Sequence, residues 1–276
     1  MIEKFKATML HAGIDPPNNI IGDGKLHRFH IGGDKPSTLN GAYFIHLDST
    51  PNGWFSDWRG TSGKWLADGK AKPFTKEMRQ QIEQKRKQRE EEKQLRHEQA
   101  ACNARIIWGK SPPATHHQYL TNKRVQPHDT RLHHDSLVIP IYDENKWLVN
   151  LQFILPNGDK RFLSGAKKKG CFSAIGVSNE LKTLLLCEGW ATGASLHEET
   201  GQCVVIALDA GNLLPVAQAV RRMFPYVSII VCGDNDLSGV GQKVAIEAAA
   251  SVSGKYKIPP NVGQDWNDFL SNEGQN

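Results

Sequence analysis

The residues best placed to do chemistry are carboxylates that stand where apolar runs stop. TLLLC gives way to Glu188-Gly189, and VSIIVC gives way to Gly233-Asp234-Asn235-Asp236. Short apolar runs bounded by turn residues read as strands buried on both faces. In an open α/β sheet, ligands bind beyond the carboxyl ends of such strands, so Glu188, Asp234 and Asp236 are expected to share one edge. Hard oxygen donors grouped in this way suit Mg²⁺ or Mn²⁺, which keep waters and bridge to phosphates. The chemistry expected of such a pair of ions is phosphoryl transfer. Gly189 and Gly233 beside the acids are expected to let a bulky substrate approach the backbone. Each acid alone has a plainer reading. A glutamate ending a strand is commonly just solvated, and Asp236, with Ser238 before a helix, serves equally well as an N-cap. The specific signal is the order: E-G, one strand–helix unit, then D-x-D-x-x-G.

The elements that must position these acids follow from the periodicity. Strands are expected at 183–187, 203–208 and 227–232, with helices at 192–199, 214–223 and 239–252. That alternation predicts a parallel sheet covered on both faces. Upstream, LVIPIYD and WLVNLQFIL read as a hairpin turning at Glu144-Asn145-Lys146. A second turn at Asn157-Gly158 leads into DKRFLSGAKKKGCFSAIG. Lys160 and Arg161, with Lys167, Lys168 and Lys169 between two glycines, form a cationic stretch suited to phosphate, the lysines on a mobile loop.

The segment from Thr75 to Trp108 has no Gly or Pro and carries i,i+4 Glu–Lys and Glu–Arg pairs, which predicts a long solvated spacer helix ended by Ser111-Pro112-Pro113. Before it, a helix over 2–12 with Phe5, Met9 and Leu10 on one side precedes a stretch rich in Gly and aromatics, read as a small β-rich module. Arg28, Trp58 and Arg59, with Trp54, Phe55 and Trp65, could stack bases and hold phosphates of a single strand. The same tryptophans could equally form that module's core. His27 and His30 have ligand-like spacing but no second pair completes a zinc site, so no zinc is expected. His116-His117 and His133-His134 read as surface histidines.

LLLCEGWATGASL, IIVCGDNDLSGVG and GQDWNDFL together resemble the Toprim domain of topoisomerases and primases, most closely the Toprim primases of phages, plasmids and mobile elements. The match is densest over 181–270. The resemblance implies an α/β, Rossmann-like parallel sheet. It implies Glu188 as metal ligand or general acid/base and Asp234 and Asp236 as metal ligands, with Asp265 as a further acidic position. The chain departs from the pattern at Asn267, where a second acid usually stands two residues on, with Asp268 next. It departs again at Thr192, where many bacterial primases carry another acid. Residues 138–176 resemble more weakly the basic half of a primase core, in which Lys160, Arg161 and Lys167–Lys169 would hold template or nucleotide phosphates.

The expected organisation is therefore an N-terminal module over 1–74, a helical linker over 75–110, a basic mixed α+β subdomain over 111–180 and a Toprim domain over 181–276. The implied activity is synthesis of short primers on single-stranded DNA from nucleoside triphosphates, with a replicative helicase in trans or on a longer chain. The other readings are a Toprim nuclease and a non-catalytic replication-initiation or helicase-loading module. Composition agrees with a globular, mildly basic chain: 276 residues, 39% hydrophobic, 23% charged, net charge +5. No signal-like start or membrane-length apolar run is present, and five scattered cysteines suit a reducing cytoplasm. There is no P-loop motif, so no helicase motor is expected within the chain.

Overall fold

The computed structural model describes residues 1–47, 51–67, 75–177 and 180–273. The chain divides into two compact units, 1–85 and 86–276. The expected module boundary at Phe74, and the Asp48-Ser49 turn, lie outside the described residues.

The first unit opens with helix α1 (Ile2–His11). Four strands follow, β1 (His27–Phe29), β2 (Gly41–His46), β3 (Asn52–Ser56) and β4 (Ser62–Leu66), paired antiparallel in that order. Period-two alternation divides the sheet into a core face and an opposite face. Tyr43, Ile45, Phe55 and Trp65 pack with Phe5 and Met9 of α1 in one apolar cluster. Leu10 is 55% exposed and does not join them, because it follows Met9 by one residue and so points about 100° away around the helix. At Gly53 an added Cβ would lie 2.7 Å from Phe5 and 2.9 Å from the Phe44 carbonyl. Helix and sheet therefore meet there without room for any side chain.

Helix α2 (Lys76–Lys110) is the long helix expected from the charge pattern. Its last part is not a solvated spacer. Ala104 packs with Val138, Leu148 and Leu151, flanked by Ile107 and Trp108. The apolar residues are too sparse for a stripe along the whole helix but suffice over its final turns.

The second unit continues with α3 (Gln118–Lys123) and an antiparallel sheet of β5 (Arg131–His133), β6 (Ser136–Tyr142), β7 (Leu148–Ile154) and β8 (Lys160–Phe162). His117 is not a surface histidine: it is 7% exposed, and its ring accepts the Tyr119 N–H as the N-cap of α3. Then come β9 (Ser173–Ile175), β10 (Thr183–Cys187), α4 (Trp190–Thr200), β11 (Cys203–Ile206), α5 (Ala210–Met223), β12 (Ser228–Cys232), α6 (Val240–Ser251), β13 (Lys255–Lys257) and α7 (Trp266–Glu273). The sheet order is β13-β12-β10-β11-β9, parallel except for β9 at its edge. Helix α5 begins at Ala210, earlier than the expected 214, and carries Pro215 inside it.

Both faces of this sheet are covered. Leu184, Leu186, Val205, Ile229 and Val231 pack against α5 and α6. Leu185, Cys187, Val204 and Ile206 pack against α4 and against Leu137, Ile139 and Ile141 of the antiparallel sheet. The connection through α4 leads from β10 to one neighbour, β11, whereas α5 carries the chain back across β10 to β12. Strand order thus reverses at β10, which opens a crevice at the carboxyl ends of β10 and β12. Among the described residues no helix is long and apolar enough to cross a membrane.

Candidate active site

Parallel pairing sets Cys187 opposite Cys232, so Glu188 and the Gly233–Asp236 loop leave the sheet side by side. Asp234 is half-buried, and its Oδ1 is enclosed with no hydrogen-bond partner. Burial, followed by repulsion from Glu188, Asp265 and Asp236, pushes its pKa up to about 7, and Lys160 opposes that rise. Glu188 is raised as well, first by burial and then by Asp209. Lys160 and the Ala210 backbone N–H, which donates to the Glu188 carboxylate, pull it back. These acids therefore share one electrostatic environment, as the order of the sequence pattern predicts.

Asp236 has a different character. Its carboxylate accepts the Gly241 N–H at 2.6 Å, the Val240 N–H at 3.3 Å and the Ser238 hydroxyl at 2.6 Å. These bonds hold its pKa below the ordinary carboxylate value and tie the first turn of α6, the N-cap behaviour that its spacing also allows. Asp265 likewise ties the first turn of α7, accepting the Asp268 N–H at 2.7 Å. Lys123 stands 3.9 Å from Asp265 and 3.7 Å from Asp268. Among the described residues no three His, Cys, Asp or Glu side chains close into a ready-made metal cage.

At Gly233 packing alone demands a glycine. A Cβ there would lie 2.4 Å from Ala245 and 2.9 Å from Ile258, so the glycine lets α6 pack against the strand end. At Gly189 an added Cβ would come no nearer than 3.4 Å to any side chain, that of Thr192.

The lysines divide. Lys160, at the start of β8, has its ammonium 5.9 Å from the Tyr119 ring and within the electrostatic reach of Glu188, Asp265 and Asp234. Crowding by protein, and then Lys123, lowers its pKa despite those acids. Lys168 pairs with Asp209 at 2.5 Å and lies 5.1 Å from the Phe162 ring. Arg161, Lys167 and Lys169 are exposed. The loop carrying the three lysines is anchored, not mobile. The Asn150 amide donates to the Lys167 carbonyl at 3.0 Å, and Asn212 accepts the Gly170 N–H at 2.8 Å. Asn212 also donates to Cys171 and Ala207 carbonyls, both at 2.9 Å. Buried backbone groups need partners, and these two amides supply them.

An open cleft of about 630 Å³ is lined among others by Tyr119, Lys123, Arg124, Lys160, Gln264, Asn267 and Asp268; it adjoins the acidic edge through Lys123, which stands beside Asp265. Nothing in the local sequence singles out Lys123 and Arg124. The signal that places them is three-dimensional: Asn267, 2% exposed, donates to the Lys123 carbonyl and to Ser195 Oγ, each at 2.8 Å. That amide ties α3 and α4 to α7, so Lys123 is seated beside Asp265.

In the first unit the aromatic residues separate. Phe55 and Trp65 belong to the core. Trp58 is 68% exposed with the Arg28 guanidinium 5.2 Å from its ring. Arg59 forms an ion pair with Asp34.

The part of the chain that carries the parallel sheet and its acidic edge, residues 183–276, matches the family model described as Toprim domain. Over more of its length the chain is similar to two proteins from Escherichia coli, both described as DNA primase TraC. One is 35% identical over 87% of this chain and 24% of that protein; the other is 32% identical over 93% of this chain and 19% of that protein. The chain thus spans about a quarter or less of the relatives it matches. Among solved structures, the primase fragment of bacteriophage T7 primase-helicase superposes with a TM-score of 0.48 at 18% identity, covering 60% of this chain and 73% of that one.

Proposed function

We propose that this chain is the catalytic part of a DNA primase of a mobile element, joining nucleoside triphosphates into short primers on single-stranded DNA. The observation that carries the reading is Asp234, a carboxylate raised to about 7 by burial and by its acidic neighbours, with an enclosed oxygen that nothing satisfies. A divalent cation would relieve that repulsion. The donors are all oxygens, and an incomplete protein set is what Mg²⁺ or Mn²⁺ accepts when waters and substrate phosphates supply the rest. Residues of this chain that would hold it are Glu188, Asp234 and Asp236, with Asp265 beyond them. When bound, such an ion lowers the pKa of an attacking hydroxyl and offsets charge on a triphosphate.

The chain's own groups supply the remainder. Lys160 lies within electrostatic reach of the acids and is positioned to draw a phosphate toward them, with Lys123 and Arg124 lining the same cleft. Arg161, Lys167 and Lys169 offer charge to a polyanion outside it. In this reading, residues 181–276 perform the chemistry, 111–180 hold phosphates, 75–110 link, and 1–74 hold the template strand through a face that includes Arg28, Trp58 and Arg59.

The test is incubation with single-stranded DNA, labelled nucleoside triphosphates and Mg²⁺ or Mn²⁺. Short template-dependent products, lost in Glu188→Gln and Asp234→Asn, are expected. Shortening of a labelled template without new products would replace synthesis by nuclease action. Products unaffected by both substitutions would overturn the assignment of the site.

A further inference from the structure

The antiparallel sheet of the first unit has an aromatic surface that its own core does not use. The core face already holds Phe5, Tyr43, Phe55 and Trp65 in edge-on and tilted contact around α1. On the opposite face, Phe44 and Trp54 stand directly across from one another in the β2–β3 register, and Trp54 stands across from Lys64 in β3–β4. The Phe44 and Trp54 rings are nearly parallel, with 23° between planes and centroids 6.1 Å apart. They line an open depression of about 440 Å³ together with Asn52, Gly53 and Lys64.

Cations frame this row. By alternation Arg28 falls on the same face as Phe44 and Trp54, since it pairs with Ala42, and Ala42 with Ser56. Its guanidinium meets the Trp58 ring. His46 is on that face too, with its ring 5.8 Å from that of Phe44. Half-exposed parallel aromatic faces flanked by Arg and Lys suit unpaired bases, which stack whatever their identity, with phosphates held alongside. Protein–protein interfaces are depleted in lysine, so Lys64 standing across from Trp54 favours a polyanion over a protein partner.

We propose that Phe44, Trp54 and Lys64, with Arg28 beside them, form a stacking platform for single-stranded DNA. The proposal deepens the strand-holding role assigned above to residues 1–74 and rests on that reading. It adds Phe44 and Lys64, which the sequence did not single out, and removes Phe55 and Trp65, which are core. Because every base has an aromatic face, binding should depend little on base sequence and should fall steeply with salt.

The experiment uses the full chain without metal or triphosphate and measures anisotropy of a labelled oligothymidine strand. Phe44→Ala and Trp54→Ala should each weaken binding roughly tenfold. Trp54→Phe, which keeps a ring at the position, should recover most of the loss. Lys64→Ala and Arg28→Ala should each reduce the salt slope by about one. Circular dichroism melts of every variant show whether the module remains folded. Unchanged affinity in a folded Phe44→Ala/Trp54→Ala variant would overturn the platform, as would equal affinity for duplex DNA. Because no turnover is needed, the two readings fail separately. Primer synthesis with Trp54-independent binding sinks the platform alone, whereas Trp54-dependent binding without synthesis sinks the primase assignment alone.

Discussion

Asp234→Asn should make the metal-free protein more stable, and the gain should depend on pH in a defined direction. The wild-type carboxyl has a folded pKa of about 7 against an ordinary value of 3.8. Between those values the folded chain holds a proton that the unfolded chain has released, so wild-type stability falls as pH rises through that window. Below about pH 4 both states are protonated and the penalty is absent; above about pH 7 it is complete. The gap corresponds to roughly 4 kcal/mol at most, and partial solvent access to the half-buried side chain trims it to about 2–4 kcal/mol. Asparagine has nearly the same shape and no charge, so it escapes the penalty at every pH. Thermal unfolding at pH 8 in a chelator should therefore place the variant roughly 5–15 °C above wild type, with the two converging near pH 4. Adding Mg²⁺ at pH 8 should raise wild type and leave the variant nearly unmoved. A variant that melts at or below wild type at pH 8, or a difference that does not shrink on acidification, would refute the claim that repulsion and burial strain this carboxylate.

Other perturbations read other parts of the site. Asn212→Ala removes bonds to Gly170, Cys171 and Ala207 and should cost about 2–4 kcal/mol in denaturant unfolding; a cost under about 0.5 kcal/mol would show that the lysine loop is anchored elsewhere. Lys168→Ala strips Asp209 of its partner, so Asp209 should push Glu188 still higher and move the acidic limb of a pH–activity profile upward. Lys167→Ala with Lys169→Ala should leave that limb in place and flatten only the salt dependence of strand binding.

The acidic edge was legible because it is written in local grammar: an apolar strand, a glycine and an acid, twice. Strand β10 was placed at its observed ends, and Cys187, Cys203 and Cys232 are buried thiols as their apolar neighbours imply. What the sequence hid was long-range. Nothing near Gly233 announces that Ala245 will press against it, so its glycine resembled an allowance for substrate. The Lys168–Asp209 pair joins residues 41 positions apart, and a run of three lysines between glycines gives no hint of such an anchor. Strand β13, three residues long and exposed, has no apolar pattern to betray it. Asn267 is instructive because the departure from the family pattern has a local reason. Its amide donates to both Lys123 and Ser195, and a carboxylate, which only accepts, could not replace it. The alternation from Ala42 to Leu47, which covers most of β2, is visible in the sequence, but which face is covered depends on α1.

Asp236 gives its oxygens to the amides of Val240 and Gly241 before any ligand arrives. A cation at this edge would therefore compete with a helix for the same lone pairs, instead of meeting a bare carboxylate. That rivalry would weaken its hold, and each departure would be eased as the amides reclaim the acid. In the proposed reaction such an edge would favour rapid exchange over sequestration, the property needed if a cation and the diphosphate it accompanies are to leave after every nucleotide joined.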